Sequence, residues 1–241
     1  MKDASAGRVR RREARGHSHT LEAKIRLVRP GLEAAGSRIF RRPRAAELFP
    51  EYLIALHGFV RASVPLMAAA RHRSLALAAS DAVAAGMVDY LERHIEEERG
   101  HDGWLLRDLE ALGVPRAQVL GRLPAVSTAR AVGAQYYWIH HVHPVALLGY
   151  IALLEGQPPD VGFLDRTVKA TGLPCAAFRT LYRHARLDPR HRDELRALLD
   201  ALPLEPPHET LIGVSVFDAA AELTETLAGV ADAPGTPARG A

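Results

Sequence analysis

Apolar positions recur at helical spacing along most of the chain, and no stretch alternates apolar and polar residues as a half-buried strand would. The pattern predicts a first helix over 21–35, a break at Arg41-Arg42-Pro43, and a long apolar stretch over 45–70 that Pro50 and Pro65 should kink or split. The longest continuous helical signal covers 74–112 and stops at Gly113-Val114-Pro115, a glycine-then-proline ending. After a short segment at 117–120, Pro124 and Ser127-Thr128 open a helix expected to run through 136–155 and to end at Gly156-Gln157-Pro158-Pro159. Residues 163–171 form a short helix stopped by Gly172 and Pro174, and 176–201 a longer one. A proline-rich loop at 202–207 then leads to a last apolar helix over 211–230. The expected fold is one all-α domain over 19–231, a bundle of about seven to nine helices. A basic polar arm (1–18) and a proline- and glycine-bearing tail (232–241) flank it, both expected to be disordered.

Composition narrows the function. Hydrophobic residues make up 48% of 241 residues, enough for one sizeable core. The formal net charge of +3 comes from the arm, where six cations (Lys2, Arg8, Arg10, Arg11, Arg12 and Arg15) face only Asp3 and Glu13. The remaining chain is close to neutral, which argues against a nucleic-acid-binding body. The one cysteine, Cys175, excludes an intrachain disulfide and a cysteine-built zinc site, and fits a reducing cytoplasm. No uninterrupted run of 18 apolar residues suggests a membrane span, and no apolar segment in the arm suggests a secretory signal.

Three helices carry candidate chemistry. On the first, Met87, Leu91, His94, Glu98, His101, Leu105, Leu109 and Leu112 form one inward stripe with three polar members. A buried carboxylate without a partner costs several kcal/mol, so Glu98 must be paired or bind a metal. Glu98 and His101 have the Glu-x-x-His spacing that offers one metal an oxygen and a nitrogen ligand, with Glu97 and His94 in reserve. The plainer reading of Glu96-Glu97-Glu98 is a solvated acidic run. On the second helix, Glu155 ends an apolar stripe and is either a solvated helix end or a bridging ligand. His140, His141 and His143 lie on the same segment without standard ligand spacing, and His143 before Pro144 fits a cap equally well.

The third helix holds His184-x3-Asp188-x2-His191, three metal-capable side chains within about 60° of one helical face. Pro189 should break that helix beside its own ligand and make it the mobile half of a site. Together the helices offer Glu98, Glu155 and Asp188 with His101, His184 and His191. A cysteine-free N/O set of this kind suits iron or manganese, and three carboxylates balance two divalent ions better than one.

These motifs resemble the heme-oxygenase-like diiron oxidases, a group of iron-containing redox enzymes related to the thiaminase-like and pyrroloquinoline-quinone-synthase-like folds. The resemblance covers roughly 45–230. It rests on Glu98-Arg-Gly-His101, on His143-Pro144 with Leu148-Gly-Tyr150 leading to Leu154-Glu155-Gly156, and on Gly172-Leu-Pro174 leading to His184-x3-Asp188-x2-His191. It implies a heme-oxygenase-like bundle in which Glu98, His101, Glu155, His184, Asp188 and His191 hold two Fe2+ ions that activate O2. It further implies N-oxygenation, desaturation or oxidative cleavage of a small amine, amino acid or carboxylic acid, in a biosynthetic pathway. Some members place a glutamate seven residues before the first-helix histidine, where this chain has His94. A small-molecule substrate and a homodimer are expected, with neither nucleic acid nor membrane as partner. Two other readings stay open: a metal-free member of the fold that binds a small heterocycle, with Glu98 and Asp188 as acid–base groups, and a non-catalytic helical protein with His94 and His101 as satisfied core histidines. Arg179, Arg183, Arg186, Tyr137 and Tyr150 could pair with a substrate carboxylate or line its pocket, although arginines on helices usually face solvent.

Overall fold

The computed structural model describes residues 16–41, 43–156 and 159–233. Residues 1–15 of the basic arm, Arg42, Gln157, Pro158 and the tail from 234 lie outside the described residues. Among the described residues the fold is all-α, as the periodicity predicts. The helices are α1 (His17–Ile39), α2 (Ala45–Leu77), α3 (Ala82–Glu98), α4 (His101–Glu110), α5 (Arg116–Leu120), α6 (Val126–His141), α7 (Leu147–Glu155), α8 (Val161–Thr171), α9 (Arg179–Ala201) and α10 (Pro206–Asp232). Two 3-10 turns, Pro144–Ala146 and Cys175–Phe178, precede α7 and α9.

The prolines do not split their helices. Pro50 and Pro65 stand inside an unbroken α2, and Pro189 inside an unbroken α9. Each proline removes one helical hydrogen bond, but buried residues on both sides anchor the helix to the core. In α9 these are Leu181 before Pro189 and Leu195 and Leu199 after it. The break in the ligand helix expected at Pro189 is therefore corrected to a continuous helix.

The breaks fall elsewhere. The signal over 74–112 is two helices and part of a third. Asp81 caps α3 by accepting from the Ala84 N–H at 2.9 Å. Gly100, at φ 85°, ends the α3 line two residues after Glu98. Only glycine takes that left-handed conformation without strain. The second long signal divides at His143-Pro144, where extended His143 (φ −158°) obeys the restriction that proline imposes on its predecessor. Residues 17 and 18, expected in the arm, open α1, and Ser18 is tied to Asp200 at 2.9 Å and 2.8 Å through its N–H and hydroxyl. The loop before α10 is shorter than expected, because Pro206 occupies the first helical turn and Glu205 forms a capping box with His208.

α2 is long and apolar enough to cross a membrane by length and composition, with a mean hydropathy of 1.5 in its most apolar window. In the bundle it is a central helix that packs against α3, α4 and α6. Two apolar clusters form the core. The larger holds Leu66, Met87, Leu91, Leu148, Ile151, Leu195 and Val216. The smaller centres on Phe49 and Phe178, whose rings stack at 4.2 Å, with Leu105, Leu109 and Leu181. The chain passes between them twice, on α3–α4 between Leu91 and Leu105 and on α9 between Leu181 and Leu195. Every candidate metal ligand on those helices lies in these two passages.

α7 reaches its place by close approach to α10. A Cβ on Gly149 would overlap the Ile212 carbonyl oxygen and stand 3.1 Å from Ser215 Cβ. Gly149→Ala is expected to lower the unfolding free energy by about 1–3 kcal/mol, read from denaturant melts, through forced separation of α7 and α10.

Candidate metal centre

The last two turns of α3 bring Tyr90, His94, Glu97 and Glu98 to one side of the helix, and Gly100 turns the chain so that His101 opens α4 beside Glu98. His94, Glu98, His101, Asp188 and His191 are each no more than 5% exposed. α7 ends at Glu155 directly above them, and α9 supplies His184, Asp188 and His191 from one face.

His94, Glu98, Glu155 and His191 each offer one ligand atom, all within 4.8 Å of one another. His94 Nε2 lies 3.0 Å from Glu155 Oε1. His191 Nδ1 lies 3.4 Å from Glu155 Oε2 and 3.6 Å from Glu98 Oε1. The other oxygen of Glu98, Oε2, faces His101 Nδ1 at 2.8 Å. Beyond His101 the His184 ring stands edge-on at 5.1 Å, and His184 Nδ1 meets Asp188 Oδ1 at 2.9 Å. Glu98 thus divides the cluster into two halves, one with His94, Glu155 and His191 and one with His101, His184 and Asp188.

Most of these close approaches are not hydrogen bonds. Eight buried polar atoms lack a partner: His94 Nδ1, Glu97 Oε2, Glu98 Oε1, His101 Nδ1, Glu155 Oε2, His184 Nε2 and both nitrogens of His191. Buried polar atoms are almost always satisfied, so eight in one cluster call for a bound group. The donor chemistry, imidazole and carboxylate without sulfur, fits a divalent first-row metal such as iron.

Electrostatics agree with a site built for cations. Burial would raise the Glu155 carboxyl, but His191 and His94 outweigh it and bring it down to about 2. Burial would lower His94 and His191, but Glu155 beside each holds it above the usual imidazole value. His184 is raised against burial by Asp188, and Asp188 is itself raised by burial.

Of the six expected ligands, Glu98, Glu155 and His191 fall in the four-residue group, and His101, His184 and Asp188 flank it. His94, held in reserve, is the fourth member of the group. Glu97 stands behind His191, its Oε2 3.3 Å from His191 Nε2 and its Oε1 2.8 Å from Arg190. Several surrounding residues escaped the sequence reading. Tyr90 stacks on His94 at 5.3 Å, and its spacing four residues earlier was the available signal. Trp104 lies against His101 at 3.8 Å, with the Arg183 guanidinium over its ring at 4.5 Å. Arg179, Arg186 and Tyr137 are exposed, as are His140 and His141. Tyr150 is buried, with its hydroxyl unpartnered.

Asp81, His143 and His208 form a second group with metal-like spacing. Its chemistry is that of helix caps. His143 Nδ1 accepts from the Val145 N–H at 3.1 Å, so its proton sits on Nε2, which donates to Asp81 at 2.9 Å. His208 Nδ1 accepts from the Glu205 N–H at 3.2 Å. With both Nδ1 atoms occupied and both protons on Nε2, neither imidazole offers a lone pair to a metal. The capping alternative for His143 is the one the structure supports.

A family model described as iron-containing redox enzyme matches residues 51–224. Comparison with curated proteins finds no match. Among solved structures, a domain of unknown function with a heme-oxygenase-like fold from Shewanella denitrificans is similar at TM-score 0.74 and 17% identity, over 88% of this chain and 90% of that one. A TenA homolog from Pseudomonas syringae is similar at TM-score 0.67 and 14% identity, over 88% and 90%. A CADD-like protein of unknown function from Nostoc punctiforme follows at TM-score 0.64 and 16% identity, over 89% and 96%. At these identities the structures establish the fold, which is heme-oxygenase-like.

Because His94, His184 and His191 hold protons more tightly than free imidazole, a divalent ion must displace protons to bind at neutral pH. Calorimetric Zn2+ titrations in buffers of different ionisation enthalpy should show net proton release, and apparent affinity should fall about tenfold or more from pH 7.5 to 6. Affinity that does not change with pH would contradict histidine ligation.

Proposed function

The chain belongs to the iron-containing redox enzyme family, and on that premise we propose that it holds two Fe2+ ions and uses O2 to oxidise a small organic molecule. The observation that carries this reading is the set of eight unpartnered buried atoms distributed on both sides of Glu98. His94, Glu98, Glu155 and His191 would hold one ion, and Glu98, His101, His184 and Asp188 would hold the other. Iron in such a carboxylate and imidazole set supplies one-electron and O2 chemistry when bound.

The protein's own residues set the geometry. Glu97 stands behind His191, 3.3 Å from its Nε2, on the side of the ring away from Glu98 and Glu155, and Arg190 anchors Glu97 in turn. Trp104 and Arg183 restrain the His101 ring from one side, and Tyr90 restrains His94. The buried position excludes bulk water, while a cavity of about 410 Å3 reaches Glu155 and His191 and admits a substrate. The metal-free acid–base reading needs only Glu98 and Asp188, and leaves the histidine nitrogens unexplained.

Anaerobic Fe2+ titration should saturate near two ions per chain, as in carboxylate-bridged di-iron sites. Admission of O2 should then give a transient visible absorption band. His191→Ala and Glu98→Ala should each lose at least one ion and the band. Uptake well below two ions in the unaltered chain, or variants that bind and absorb like it, would overturn the reading.

A further inference from the structure

The cavity that reaches Glu155 and His191 lies between α1 and α9, with α7 as its floor. Its middle is apolar, lined by Leu21, Ile25, Ala152, Leu195 and Leu199. Its charged lining is mostly cationic: Arg26, Arg29, Arg192 and Arg196 against the carboxylates of Glu22 and Glu155.

The arginines are not equivalent. Arg29 is bonded to Glu33 at 2.7 Å and points along α1. Arg196 is paired with Glu22 and with Asp193, the latter at 3.1 Å. Arg26 reaches Glu22 only at 4.0 Å, and that carboxylate is already held by Arg196. The Nε of Arg192 is buried and makes no hydrogen bond, its nearest carboxylate being Asp193 at 3.5 Å. Of the four arginines that line the cavity, Arg26 and Arg192 are therefore the two least committed to a carboxylate.

Their position follows from the register. α1 and α9 run antiparallel, with Ser18 opposite Asp200 and Glu22 opposite Arg196. One turn further along, Arg26 comes level with Arg192, next in sequence to His191. The uncommitted cations thus sit at the Glu155–His191 end of the cavity. The apolar lining extends away from them toward Leu21 and Leu199, roughly 10 Å along α9.

We propose that the substrate is an amphiphilic carboxylate. Its carboxylate is held between Arg26 and Arg192, and its apolar body lies between α1 and α9. The atoms next to the carboxylate face Glu155 and His191. Simple alkylamines are disfavoured by the same arginines. This rests on the function proposed above only in taking Glu155 and His191 as the reacting end; the binding itself needs no iron.

Calorimetric titration of the metal-free protein at pH 7 with octanoate and with octylamine tests it. Octanoate should bind, more weakly as salt rises, and octylamine should bind at least tenfold less tightly. Arg26→Gln and Arg192→Gln should each weaken octanoate about tenfold or more, whereas Arg29→Gln should stay within about twofold. No octanoate binding, equal binding of octylamine, or unchanged affinity in both Arg26→Gln and Arg192→Gln would overturn the proposal. Octanoate binding without iron uptake would remove only the iron reading; iron uptake without octanoate binding would remove only this one.

Discussion

Buried carboxylates that have no cation on the protein adequate to them are the constraint around which this fold is arranged. Glu98 is 5% exposed, and of its two oxygens one has no partner and the other faces an imidazole out of hydrogen-bond alignment. Such a group is costly in an apolar interior unless a charge meets it. In the metal-free chain that role falls to protonated histidines, which is why Glu155 is held near 2 while His94 and His191 are raised. Divalent ions would replace those protons. The cluster occupies the seam between two apolar cores, so packing on either side holds the ligating side chains without lining them with other polar groups.

Helix ends do much of the positioning. Gly100 at φ 85° lets Glu98 close one helix and His101 open the next, so the pair comes from two helix ends and not one continuous face. Glu155 is the last residue of α7, and α7 is set against α10 by the absence of a Cβ at Gly149. α9, by contrast, is uninterrupted, and one face carries three of the candidate ligands, with Arg190 and Arg192 flanking that face on opposite sides. Adjacent positions on α9 serve the metal cluster, with His191, and the cavity, with Arg192.

Much of this was legible in the residue pattern. The inward stripe through His94, Glu98 and His101 survives the break at Gly100 because the turn preserves which side faces the core. The Glu155 and His184–Asp188–His191 motifs lead to the same place. The break itself was hidden, since Arg99-Gly100 carries no proline and polar residues flank it on both sides. Pro189 misled in the opposite sense: its local cost is real, but burial of Leu181, Leu195 and Leu199 outweighs it. The role of His94 was obscured because ligation depends on which residues α7 and α9 bring near it, and spacing along one helix does not report that. Arg26 was out of reach for the same reason, because its partner helix is 166 positions away in sequence.

The central claim is that Glu98 stands between two metal positions. Diffraction from Fe2+-soaked anaerobic crystals, measured on both sides of the iron absorption edge, tests it directly. The account predicts two anomalous peaks, one among His94, Glu155 and His191 and one among His101, His184 and Asp188, with one oxygen of Glu98 toward each. A single peak, or iron beside His143 and His208 instead, would contradict it.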